Sequence, residues 1–169
     1  GLGMIALRGA LTARRGRRGY ALACVVALMA CAAVWSPMAP RPEMTVIDVG
    51  HGDAIFVRAP GGQTMVVDAG NRSEYVDLGR RSVAPFLWAN HETSIDALLV
   101  THTDSENIGG ARYMEEQFAV GALVLGAHAF PGSLEDELIA VCERRGIPVQ
   151  RVARGDRFAL GGATVEVLH

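Results

Sequence analysis

Lysine is absent from the 169-residue chain, so every basic residue is arginine. Acid is absent from the first 42 residues, where Arg8, Arg14, Arg15, Arg17, Arg18 and Arg41 stand unopposed. The rest of the chain then holds 10 Arg against 18 Asp plus Glu, a local net of −8 hidden under a formal charge of −2. A basic head on an acidic body points to a membrane-flanking segment followed by a soluble domain. Cysteine is scarce too. Cys24 and Cys31 fall in an apolar stretch and Cys142 stands alone, which excludes a disulfide framework and a thiolate metal cluster. The body must therefore be held by its core. No internal repeat appears. Half of the residues are hydrophobic, which excludes a disordered chain, and the length allows one domain with a sizeable core.

Charge is missing again from GYALACVVALMACAAVW, Gly19 to Trp35. About 20 apolar residues cross a bilayer, so residues 19–36 read as a slightly short transmembrane helix. Tyr20 and Trp35 stand at its ends, where interfacial aromatics belong, and Pro37 and Pro40 stop it. The arginine cluster of residues 1–18 should stay in the cytoplasm and send everything after Pro40 outside. A cleaved signal peptide and a lipoprotein signal at Leu28–Cys31 compete, but an 18-residue basic lead-in is long for either. Residues 37–43 form a linker, and residues 44–169 form the soluble domain.

In that domain, residues 44–70 read as a meander of three strands. Its parts are the β-rich Thr45–Val49, the run Ala54–Arg58, the turn Pro60-Gly61-Gly62-Gln63 and the return Thr64–Asp68. Asp77–Asn90 has helical spacing interrupted by Pro85. Ile95–Thr101 is nearly continuous apolar sequence, the mark of a strand covered on both faces. A short helix over Ile108–Gln117 and a second buried strand over Val120–Leu125 follow. Ser133–Arg145 is the best helix, with a Ser133/Asp136 capping box, acids at its start and arginines at its end. Short strands are expected near 148–152, 157–160 and 163–168, the last two joined by Gly161-Gly162. Antiparallel strands followed by alternating strand and helix make an α/β layered domain.

The run VIDVGHGDAIFVRAPGGQTMVVDAG, followed by IDALLVTHTDSENIGG, resembles the metallo-β-lactamase-like domain of the ComEC family, membrane proteins of DNA uptake in natural competence. RGIPVQRVARGDRFALGGATVEVLH resembles the next segment of the same family. The resemblance covers Met44 to His169 and implies a partial αββα sandwich behind one transmembrane helix. In the family, strands with a further Asp and a further His follow, so the chain, which begins at Gly1, is expected to be a fragment.

The fold's usual H-x-H-x-D-H motif places paired ligands on the loop after a buried strand. There two Zn²⁺ ions acidify a water between them. By resemblance, His102 and Asp104 take the first pair of metal positions. Glu106 stands where the water-orienting, catalytic Asp is expected, and Asn107 stands where His is expected. Glu reaches one methylene further than Asp, and a misplacement of about 1 Å can cost roughly a hundredfold in rate. Asn offers a neutral amide oxygen, a poor Zn²⁺ ligand. The motif is therefore degenerate, and zinc or another divalent ion is expected to bind weakly. Read without the family, DSEN is ordinary helix-capping chemistry before Ile108. Asp48 and Asp53 are expected to fix the GHGD turn. Asp68 is expected either to brace the metal loop or simply to bind backbone at a strand end. His51 is expected either to face the cleft or to serve only as a polar turn residue, and His128 reads as a loop histidine.

Three functions follow from the resemblance. The first is the extracytoplasmic domain of a ComEC-type protein of the bacterial inner membrane, with DNA and other competence proteins as partners and weak or no hydrolase activity. The second is an active metal-dependent nuclease. The third is a stand-alone membrane-anchored metallo-hydrolase. A nuclease needs cations for phosphates, and this acidic body offers only local spots at Arg80-Arg81, Arg144-Arg145 and around Arg151, Arg154 and Arg157.

Overall fold

The computed structural model describes residues 24–27, 29, 41–127 and 134–168. The chain divides into two units, Gly1–Met38 and Ala39–His169. In the first, residues 24–27 and 29 are helical. Most of the expected transmembrane helix lies outside the described residues, and among the described residues no helix is long and apolar enough to cross a membrane.

The second unit opens with the expected meander. Strands β1 (Glu43–Val46), β2 (Ile55–Arg58) and β3 (Thr64–Val67) run antiparallel, with Thr45 opposite Phe56 and Phe56 opposite Val66. Gly62, at φ 87°, takes the left-handed conformation of the β2–β3 turn, which only glycine adopts cheaply. Beyond β3 the sheet becomes parallel. β5 (Ala97–Val100), β7 (Leu123–Gly126) and β8 (Val149–Val152) extend it to six strands in the order β1-β2-β3-β5-β7-β8.

Alternation along β5 explains why its sequence is apolar throughout. Leu98 and Val100 enter a large core beneath the helices, with Phe56, Val66, Met114, Phe118, Leu123 and Leu138. Ala97 and Leu99 point to the other face, where Met65, Val124 and Leu160 pack with Phe158 and Val165. That second face is covered by the hairpin β9 (Arg157–Leu160) and β10 (Ala163–Glu166). Its Gly161-Gly162 tip docks on the β2–β3 turn, where Gly61 N–H donates to Gly161 O at 2.6 Å. Burial of each large side chain contributes about 1.5–3 kcal/mol.

Helices occupy the first face. A π-helical turn, Gly79–Val83, leads into α1 (Ala84–Ala89), with Pro85 in its first turn. The proline is tolerated because first-turn N–H groups need no intrahelical partner. α4 (Leu134–Arg145) buries Leu138, Val141 and Cys142 on one side. Ser133, the expected cap of α4, and His128 lie outside the described residues.

Two expected elements are subdivided. The strand expected over Ile95–Thr101 begins as β4 (Ser94–Ile95), which pairs with β6 (Ala119–Val120), and resumes as β5. Asp96 makes the break, its carboxylate accepting the Thr64 N–H at 2.7 Å. The helix expected over Ile108–Gln117 is two helices, α2 (Ser105–Ile108) and α3 (Ala111–Gln117), parted at Gly109-Gly110. The last strand ends at Glu166, two residues before Leu168.

Candidate functional site

The loops that follow β3 and β5 lie at one end of the sheet, because parallel strands deliver their C-terminal ends together. Asp68 directly follows β3 with φ 56°, a left-handed conformation that Asp tolerates better than most residues. It is almost fully buried, and both carboxylate oxygens are used. The Thr101 N–H donates to one oxygen at 2.9 Å and the Thr101 hydroxyl to the other at 2.6 Å. Burial pushes the Asp68 carboxyl above its usual range, opposed by the two Thr101 bonds.

This pairing reaches His102. The Thr101 hydroxyl gives its only proton to Asp68, so its contact with His102 Nδ1 at 3.1 Å makes Nδ1 the donor. The tautomer so fixed leaves the Nε2 lone pair free, the arrangement a ligating histidine uses. The sequence marks Thr101 only as the end of a strand. A hydroxyl directly before the first motif histidine is the signal that would have marked it.

The rest of the motif bonds within the protein. Asp104 has extended backbone before α2, and its carbonyl accepts the Asn107 and Ile108 N–H groups at 3.2 and 3.1 Å. Its side chain does not cap the helix. Instead, Asp104 Oδ1 accepts the Asn107 amide N–H at 2.8 Å, and Asn107 is itself buried. Glu106 and His51 are both exposed and hydrogen-bonded at 2.7 Å. Thus the two substituted motif residues turn to partners inside the protein, Glu106 to the meander loop and Asn107 to Asp104.

Backbone contacts lock these loops together. Ala69 N–H donates to Asn107 O, Gly70 N–H to Asp53 O and Gly110 N–H to Gly70 O, all at about 2.9–3.0 Å. A Cβ on Gly52 would stand 2.1 Å from Glu106 O, so only glycine lets the GHGD loop lie on the motif. Asp48 accepts the Gly50 N–H at 3.0 Å and holds the turn, as expected of it.

Chemically, this end of the sheet presents the oriented His102 imidazole, the Asp104 carboxylate engaged by Asn107, and Glu106 engaged by His51. Among the described residues, no group of three or more His, Cys, Asp or Glu is arranged to hold an ion.

Comparison with known proteins matches the metallo-beta-lactamase superfamily over residues 47–163. ComE operon protein 3 of Bacillus subtilis (strain 168) is 27% identical over 147 residues, covering 80% of this chain and 19% of that protein. The chain thus spans about a fifth of that relative's length. Among solved structures, a metallo-beta-lactamase HARLDQ motif mutant of Cronobacter sakazakii is similar at 18% identity and a TM-score of 0.45. The similarity covers 72% of this chain and 48% of that one. The chain belongs to the metallo-beta-lactamase superfamily and carries a domain of the ComEC type.

Proposed function

We propose that the chain is part of a ComEC-type DNA-uptake membrane protein. Residues 44–169 are then its extracytoplasmic metallo-β-lactamase-like domain, an αββα sandwich of which the helix layer, one sheet and a hairpin of the second are described. Residues 19–36 anchor it in the inner membrane, with residues 1–18 in the cytoplasm and 37–43 as linker. DNA and other competence proteins are its partners, and its hydrolase activity is weak or absent.

The observation that carries this reading is the Asn107 amide, which donates to Asp104 where the fold's motif has a metal-binding imidazole. His102 and Asp104 remain as donors for one zinc or similar divalent ion, with Asp68 and Thr101 as their support and His51 beside Glu106. A bound ion would supply Lewis-acid and water-activating chemistry, but two good donors make a loose site.

The test is metal analysis of the purified chain beside a nuclease assay with added Zn²⁺ or Mn²⁺. The unmodified chain should hold little metal and cleave no DNA. The double substitution Glu106→Asp with Asn107→His should raise metal occupancy, because imidazole is a true Zn²⁺ ligand. Two tightly held metals and robust cleavage in the unmodified chain would overturn the reading. Orientation is tested separately, by labelling a Thr93→Cys variant in intact cells with an impermeant reagent. Labelling only after lysis would reverse the proposed topology.

A further inference from the structure

A cavity of about 640 Å³ lies beside the motif and not on it. Its lining includes Arg72, Glu74, Tyr75, Asp77, Arg80 and Arg81. All three arginines are exposed, and none forms an ion pair among the described residues. Arg58, Arg112, Arg151 and Arg157 do form such pairs. Three arginines without a described ion pair therefore line one concavity in a body whose net charge is acidic. Of the two carboxylates there, Asp77 already accepts the Arg80 backbone N–H at 3.0 Å. Tyr75 stands 88% exposed at the rim, a large aromatic with no packing of its own.

The segment is also ordered by its own bonds. The Tyr75 and Val76 N–H groups donate to Ser73 Oγ at 3.4 and 3.2 Å, and Ser73 N–H donates to Val76 O at 2.7 Å. It is fastened to the motif at both ends. Arg72 N–H donates to Ser105 O at 3.3 Å. A Cβ on Gly109 would stand 2.2 Å from Arg72 N, and one on Gly79 would stand 2.5 Å from Gly110 O. The paired glycines of the IGG sequence thus let the arginine segment lie directly against the motif helix.

We propose that Arg72, Arg80, Arg81 and Tyr75 form a binding site for single-stranded nucleic acid. The arginines hold successive phosphates, and Tyr75 stacks on an unpaired base. Guanidinium groups recognise phosphate by paired hydrogen bonds. An exposed ring is a stacking surface only for bases not already paired, which separates a single strand from a duplex or a lipid headgroup. The inference rests on the DNA-handling reading above and supplies its contact surface, but it requires no metal.

The test uses the full chain in detergent micelles and a fluorescent oligothymidylate of about 16 nucleotides. Affinity is followed by anisotropy from roughly 50 to 200 mM NaCl. The joint substitution Arg80→Gln with Arg81→Gln should weaken binding about tenfold and reduce the salt slope by about 1.4, near 0.7 per phosphate lost. The paired Arg→Lys variant should recover the slope. Tyr75→Ala should weaken binding roughly tenfold with the slope unchanged, since stacking is not ionic. Absence of binding, binding indifferent to these variants, or equal affinity for duplex or for phosphatidylglycerol vesicles would overturn the site. Metal content read on the same preparations keeps the two readings apart. Lost DNA binding with low metal sinks this site alone, and two tight metals with DNA binding intact sink only the degenerate-motif reading.

Discussion

Asp68 and Glu115 are the two buried carboxylates whose ionisation the fold disturbs upward, and they are held in opposite ways. Asp68, at the loop end of the sheet, gives both oxygens to Thr101. Glu115, on α3 in the helix layer, is 0% exposed and accepts a hydrogen bond from the Cys142 thiol at 2.6 Å. Its Oε2 has no hydrogen-bond partner among the described residues. A thiol is a weak donor, and an unmatched buried oxygen costs about 1–3 kcal/mol. Burial accordingly pushes Glu115 up to about 7, and burial together with Glu115 itself pushes the Cys142 thiol up. The polar burial at the loop end is organised around the motif. That of Glu115 in the helix layer is merely tolerated. Matched donors, not burial alone, distinguish a positioning group from a cost.

The largest effect should come from breaking the organised side. Asp68→Ala orphans the Thr101 N–H and leaves Ala in a left-handed backbone, so it should destabilise by about 3 kcal/mol in urea titration. It should also free the His102 ring, read as loss of its fixed tautomer by NMR. A loss no larger than that of an exposed substitution would erase the contrast with Glu115.

The tolerated side should respond to pH. The folded carboxyl of Glu115 holds its proton up to about 7, whereas the unfolded one releases it near 4.5. Its stability contribution is therefore full below pH 4.5 and is lost as pH rises through about 7. Glu115→Gln should leave stability unchanged at low pH and raise it above neutrality by on the order of 2 kcal/mol. Parallel stability–pH curves for the two proteins would refute this. Asp68, also raised, adds a loss of the same sign, which the Glu115→Gln protein should retain.

The smallest effect belongs to the exposed His51–Glu106 pair. His51→Ala should change stability by about 0–1 kcal/mol, because solvent screens such pairs. A larger loss would mean that the GHGD loop depends on this contact and not on the Gly52 close approach.

The sequence by itself determined the elements whose patterns are local. The meander shows in its turn residues, β5 in its unbroken apolar run, α4 in its acidic start and basic end, and β9–β10 in two adjacent glycines. It also carries the HTDSEN residues on which the resemblance rests, since ligand chemistry is a property of residue type. What it left open is set by distance along the chain. His51 meets Glu106 across 55 residues, and Asp68 meets Thr101 across 33. Nothing in the spacing of either pair specifies the partner, because the sheet fixes which loops face each other only after β3 and β5 have paired. The break at Gly109-Gly110 has the same origin. Those glycines fall inside the helix expected over Ile108–Gln117, and the neighbours that require them, Arg72 and Gly79, arrive through the tertiary fold. Local pattern reports burial and backbone preference, and only the packed sheet decides which polar groups find a partner.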